Sequence, residues 1–294
     1  NYVAEARKNK DLWIDIEKPF WWDVPLWLAD GKMDSIGLAN NHMCRSSMYE
    51  SEAWGKPRDT NLLPAPRGNG FWTQEIYYHI LNTGLRVPPS AGSASGVLPN
   101  PVGYNRVYVY LPNEFNAYRQ WWDALKAGRS FVTNGPLLLC RANGQLSGHV
   151  FQGSAGDELK IDVTGWLKSN DPVPAIEIIK NGEVAYSISP ERVSSDGRLT
   201  TLRFQKSGWF LVRAITDNKR TFRFASTAPF YVEIGSEKRR ISRRSVKFFL
   251  DWVVERAKRV PMKLEDPQKL QEVLAHHKRA KQFWQDKVTM ANAK

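Results

Sequence analysis

Asn181-Gly182 stands between two apolar runs, "AIEIIK" and "EVAYSI". Two residues of this type between strand-like segments specify a tight hairpin, because a type I′ turn needs positive φ at both central positions. The hairpin sets the character of a whole region. "DELKIDVTGWL" alternates, with Leu159, Ile161 and Val163 on one face and Lys160, Asp162 and Thr164 on the other. "GWFLVRAITD" and "TFRFASTAPFYVEI" continue in short strand-like runs. Closely spaced strands of this kind predict a β-sandwich over residues 136–235.

The flanking segments differ. Residues 1–135 alternate strand and helix signals: a strand over Leu12–Ile16, an aromatic, proline-broken loop with a turn at Asp30-Gly31, and a strand in "MDSIGLANNHM". "FWTQEIYYHILNTG" follows as a helix with Gly84 as its cap, then "RVYVYL" as a strand and "EFNAYRQWWDALKAG" as an amphipathic helix. That alternation predicts an α/β sheet or barrel. Residues 236–294 carry two helical stripes. Val246, Phe249, Leu250, Val253, Ala257 and Val260 form one; Leu270, Val273, Leu274, His277, Trp284 and Val288 form the other. Asp266-Pro267 reads as the second helix's start. A helical hairpin is expected, with Trp252 and Trp284 inside.

Composition bounds the function. In 294 residues, 42% are hydrophobic, enough for a sizeable core. No apolar run is long enough to cross a bilayer. The net charge of +12 is uneven: residues 237–294 hold 16 Lys and Arg against 7 Asp and Glu, leaving +3 for the rest. Arg239, Arg240, Arg243 and Arg244 cluster there, but no nucleic-acid reader motif accompanies them, so nucleic acid is not an expected partner. Cys44 and Cys140 make neither a disulfide framework nor a thiolate metal site. The chain opens on Asn1 rather than Met, which reads as part of a longer, secreted or periplasmic protein.

The chemistry centres on "PSAGSASGVLPNPVGYNR", a small-residue loop at a strand end. A phosphate cradle requires a following Lys and a helix, and neither comes next. A nucleophile elbow requires Gly-x-Ser-x-Gly, a spacing "SAGSASG" lacks. A plain structural turn remains open. "GLRVPPSAGSASG", "NPVGYNRVYV" and "LKAGRSFVTNGPLL", followed by "NG", a sandwich and "FFLDWVVERAKR", resemble the carbaryl-hydrolase-type (CehA/McbA) metallohydrolases of the polymerase-and-histidinol-phosphatase (PHP) superfamily.

The resemblance covers nearly the whole chain. It implies the later part of a PHP-like distorted (β/α) barrel, a β-sandwich and a C-terminal helical hairpin. It also implies a divalent metal, zinc or manganese, held by His, Asp and Glu for hydrolysis of an ester, amide or phosphoester bond.

Four departures alter that site. Ala94 and Gly96 replace the Asp and His of a Gly-Ser-Asp-x-His loop. Lys18 precedes Pro19 where a His is usual. Gly37 replaces the Glu of Asp-Ala-Ile-Glu. No His-x-His pair occurs among His42, His79, His149, His276 and His277. The ligand-type residues left at strand ends are Asp15, Glu17, Asp23 and His42, of which Glu17 and His42 are the metal candidates. Asn41, Ser93, Ser95, Asn105 and Arg106 are candidate substrate-binding residues. The alternative expectation is a non-catalytic scaffold that binds a small molecule or carbohydrate, using some of the 12 tryptophans as stacking platforms.

Overall fold

The structure is a computed structural model and describes residues 2–9, 12–262 and 264–294. The chain is a mixed α/β protein of several sheets, with no closed barrel among the described residues. It opens with α1 (Tyr2–Ala6), β1 (Asp15–Ile16), α2 (Val24–Asp30), β2 (Ser35–Ala39), α3 (Gly68–Asn82) and β3 (Pro89–Ala91). The three strands form a parallel sheet in the order β1-β2-β3, with Asp15 beside Ser35 and Gly37 beside Ser90. The helices between them are the crossovers that parallel strands require.

The expected loop at 20–31 is in part the helix α2. Pro25 sits in its first turn, where a missing N–H costs nothing, and Gly31 closes it at φ 66°. The expected strand over Leu12–Ile16 shrinks to Asp15–Ile16, and Leu12 is exposed.

β4 (Arg106–Val109), α4 (Tyr118–Lys126) and β5 (Ser130–Thr133) follow. Next come β6 (Leu137–Ala142), β7 (Val150–Gly153), β8 (Leu159–Lys168), β9 (Ile176–Lys180), β10 (Glu183–Ile188), β11 (Arg198–Phe204), β12 (Gly208–Ile215), β13 (Phe224–Thr227) and β14 (Phe230–Ile234). β9 and β10 are the expected hairpin: Lys180 pairs with Glu183 across Asn181 (φ 54°) and Gly182 (φ 94°).

The large sheet runs β10-β9-β12-β13-β5-β4, with β14 bridging β12 to β7. β11-β8-β6 forms a second sheet. Leu138, Ile161, Val163, Ile178, Phe204, Phe210 and Phe230 fill the space between the two, a sandwich-like core. Thr133 pairs with Ala225, so the expected boundary at residue 135 is not a break in the large sheet.

Two helices end the chain, α5 (Arg243–Arg259) and α6 (Pro267–Thr289), capped by the Ser242 and Asp266 side chains. Their apolar stripes meet as expected. Phe249 stacks on Trp284 with centroids 4.9 Å apart, and both Trp252 and Trp284 are fully buried. The Trp284 indole donates to the Pro25 carbonyl at 3.0 Å, tying the hairpin to α2. One hydrophobic cluster thus contains Ile16 and Leu38, Trp209 and Phe224, and Phe249 and Trp284.

Trp284→Ala should destabilise the chain by about 3–5 kcal/mol, the usual cost of deleting a buried indole. Trp284→Phe should cost less, since it keeps most of the apolar volume. Urea unfolding of the three proteins checks the order; equal stability of the alanine variant would contradict the tie to α2.

Candidate functional site

The carboxyl ends of β1, β2 and β3 bring the sequence candidates into one region. After β2 the chain turns sharply through Asn40, Asn41 and His42. The buried Asn40 side chain holds the turn: its Oδ1 accepts from the His42 amide at 3.0 Å, and its Nδ2 donates to Thr73 Oγ1 on α3 at 3.3 Å. The loop after β3 is stitched to this turn. Asn105 Nδ2 donates to the Asn40 and Gly92 carbonyls, both at 3.0 Å. Ser93 Oγ accepts from the Asn105 amide at 2.8 Å, and Asn100 Nδ2 donates to the Asn41 and Ser93 carbonyls at 3.3 and 3.1 Å.

Asn41, Ser93 and Asn105 therefore share one buried network. Much of their hydrogen-bonding capacity is spent on holding loops. The side-chain carbonyl oxygens of Asn41 and Asn105 are buried there without a partner. Ser95 lies apart, exposed and bridged to Leu98. Arg106 turns to the surface, where it donates to the Gly103 carbonyl at 2.8 Å. Asn100 was not singled out in the sequence; its place one residue before Pro101 gave no sign that it ties both loops together.

Glu17 and His42 face a cation rather than a vacancy suited to one. The Lys18 ammonium pairs with Glu17 at 3.1 Å and lies over the Trp21 ring at 4.7 Å. Burial, and next the Lys18 charge, hold the His42 pKa down to about 4, against the opposing effect of the Ser51 carbonyl. His42 Nδ1 lies 3.0 Å from that carbonyl oxygen, so the neutral ring donates there. Its ring packs between Phe20 and Tyr49 at 5.1 and 5.4 Å.

A catalytic zinc site needs three convergent protein ligands. Among the described residues no group of three His, Cys, Asp or Glu side chains is placed to hold a metal. The residues present do not fit the implied metal: two candidates flank a lysine, and an ammonium opposes a divalent ion.

Gly37 explains why the strand ligand is missing. A Cβ at this position would lie 1.9 Å from the Glu17 carbonyl oxygen and 2.7 Å from its carbon. The β1 and β2 backbones approach too closely there for any side chain. In the loop, Gly96 has open space around it but φ +91°, and Ala94 has φ 46°. An aspartate tolerates the second conformation; a histidine at the first is strained.

The opposite end of the sheet carries a second polar group. Asp15 Oδ1 accepts from Ser35 Oγ and, at 2.5 Å, from Ser90 Oγ, so one carboxylate bridges all three strands. Burial of the carboxyl raises the Asp15 pKa, with nearby Glu17 adding to it against the two serine hydrogen bonds. The residue nevertheless keeps an open side. Trp13 donates its indole N–H to Ser35 Oγ at 2.8 Å and packs on Trp122 of α4 with centroids 4.8 Å apart and the rings tilted by 30°. The sequence marks Asp15 as a ligand-type residue at a strand end, but nothing in "LWIDIEKP" shows that two serines from distant strands converge on it.

No family model matches the chain, and no curated protein or solved structure is significantly similar to it.

Gly37→Glu should not restore a metal centre. Forcing a side chain against the Glu17 backbone should destabilise the protein by about 3 kcal/mol, with no gain of zinc or manganese by elemental analysis; a stable variant with stoichiometric metal would refute the steric account.

A second expectation concerns pH. Burial, and next the Arg244 charge, also hold the His79 pKa down to about 4. Both rings are near pKa 6.5 in an unfolded chain. Between pH 6.5 and 4 the unfolded chain therefore binds protons that the native one does not, and stability falls as pH falls. Each histidine should contribute on the order of 3 kcal/mol to that loss. His79→Phe, which keeps the ring stacked 4.3 Å from Phe248, should flatten the slope of unfolding free energy across this window.

Proposed function

We propose that the chain is a ligand-binding protein on a PHP-like scaffold, and that it holds a hydroxyl-rich, carbohydrate-like ring on the polar face of β1-β2-β3 without a divalent metal. The observation that carries this reading is the open Asp15 carboxylate beside the tilted Trp13–Trp122 pair. Trp122 is 37% exposed and gives a ring face on which the apolar side of a sugar can lie. Asp15 Oδ2 takes part in no hydrogen bond from Ser35 or Ser90, both of which reach Oδ1, so it is available to a ligand hydroxyl. Charge-assisted hydrogen bonds of this kind are the stronger ones.

The poor fit of Glu17, Lys18 and His42 to a metal supports the metal-independent form of the reading. Lys18 neutralises the carboxylate that would bind a cation, and burial, with the Lys18 charge second, keeps His42 uncharged beside it. The resemblance to PHP hydrolases supports the scaffold, not the chemistry.

Titration of the full chain with a panel of neutral oligosaccharides, with and without EDTA, tests it. Binding should survive the chelator. Trp122→Ala should weaken it about five- to thirtyfold, in line with the contribution of an aromatic face of roughly 1–2 kcal/mol. Hydrolysis of an ester, amide or phosphoester that stops with EDTA would instead establish the altered hydrolase, and sugar binding indifferent to Trp122 would remove the platform.

A further inference from the structure

The aromatic surface beside Asp15 does not stop at Trp122. Trp122 packs on Trp13, whose indole is bonded to the same Ser35 that reaches Asp15. Tyr118 stands four residues before Trp122 on α4. Residues at that spacing share a helix face, with their Cβ atoms about 5–6 Å apart. A second ring is therefore set one helical turn beyond the first, leading away from the carboxylate.

Tyr118 is held in place yet left open. α4 turns Ala124 and Leu125 into the protein, and Tyr118 borders that buried face while remaining 79% exposed. Phe115 meets the Tyr118 ring at 76° with centroids 5.5 Å apart, so it braces the ring from the side. The start of the helix is fixed too: Gln120 Oε1 accepts from the Asn116 and Ala117 amides at 3.0 and 3.3 Å. Neither Tyr118 nor Phe115 belongs to a core cluster. Two exposed rings fixed beside a partly exposed third form a surface suited to a ligand.

Three features select the occupant. The surface is continuous with the ring face proposed for a sugar. One helical turn is close to the advance of one pyranose ring along a glycan chain, so neighbouring sugars fall on neighbouring side chains. The border is polar, as the hydroxyl edge of a sugar requires, with Arg119 paired to Asp123 at 3.1 Å. Glu114, Arg119, Asp123 and Lys126 carry two charges of each sign, which gives no attraction to an anionic membrane.

We propose that the sheet-face site takes a glycan chain rather than a single sugar, with one pyranose ring on Trp122 beside Asp15 and the next on Tyr118. This rests on the sugar reading of that face and lengthens it by a second subsite.

The probes are methyl β-glucoside against cellotetraose, and N-acetylglucosamine against its β-1,4-linked tetramer. Binding to the full chain is measured by NMR titration and calorimetry. In at least one series the tetramer should bind about tenfold tighter than the single sugar. Overlapping registers favour a long chain on their own, so variants decide. Tyr118→Ala should weaken the tetramer about fivefold and leave the single sugar unchanged, the loss expected of one aromatic face. Tyr118→Phe should keep the tetramer's affinity, because the ring and not its hydroxyl makes the contact. Tyr118 is exposed, so both variants should unfold at the temperature of the native chain.

Equal affinity for tetramer and single sugar, or a tetramer indifferent to Tyr118→Ala, would overturn the second subsite. If Trp122→Ala still weakens binding in that case, the sugar reading of the sheet face stands without it. If neither variant changes binding, or no sugar binds, both readings fall. A dimer in sedimentation that Tyr118→Ala dissociates would assign the surface to a second copy of the chain and overturn the proposal.

Discussion

The near-contact of the β1 and β2 backbones at Glu17 and Gly37 sets the limits within which the rest of the candidate site exists. A glycine there lets the carbonyl of Glu17 occupy the space where a Cβ would stand. Asp15 and Ser35 are paired two residues back along the same strands, and Ser90 is drawn against Gly37 from the third. The short reach of a serine hydroxyl succeeds in bridging to Asp15 because the strands are this close. A wider sheet would leave the carboxylate without its two donors. Gly37 thus admits no side chain beside Glu17, while Ser35 and Ser90 on either side of it reach Asp15.

Charge acts alongside this spacing. Lys18 is largely buried, and a buried ammonium needs an anion or a ring face to be tolerated. Glu17 supplies the first and Trp21 the second. Glu17 is committed to Lys18, and the same ammonium stands near the His42 ring, so a divalent cation between the two would meet a fixed positive charge. The basic residues of the C-terminal hairpin play no part in this. Most of them project from the exposed sides of α5 and α6, apart from Arg256 on Asp23 and Lys287 on the Thr83 carbonyl, while Phe249, Trp252 and Trp284 face inward toward α2 and α3. The net charge of the tail is a property of its solvated faces.

The sequence disclosed elements whose signal is local. Asn181-Gly182 specified its own hairpin, because the turn conformation is a property of those two residues. The stripes of α5 and α6, and the Asp266 cap, were readable for the same reason. The start of α2 was not, since Pro25 and three tryptophans resemble a loop until one knows that the proline occupies the first turn. Site legibility divides along the same line. The loss of ligand types at residues 37, 94 and 96 could be read from single letters. The convergence of Ser35 and Ser90 on Asp15, the tie of Asn100 to Asn41 and the pairing of Trp13 with Trp122 could not, because each joins residues separated by 20 to 109 positions. Arg106 shows the converse: its residue type suggested ligand binding, and its strand turns it to the surface.

Installing the metal ligands that the resemblance implies would meet obstacles of different physical kinds. At residue 94 the obstacle is only side-chain identity, since an aspartate is compatible with φ 46°. At residue 96 it is backbone conformation, because φ +91° belongs to glycine. At residue 37 it is strand spacing, and at residue 18 it is a buried charge whose removal would leave Glu17 without its cation. Steric, conformational and electrostatic barriers of this kind do not fall together, because none of the four changes relieves the strain that another creates. With spacing, backbone conformation and charge set in this way at residues 37, 96 and 18, the strand ends form a polar surface of their own kind. Its chemistry follows from the groups it now presents, an open carboxylate and an aromatic pair.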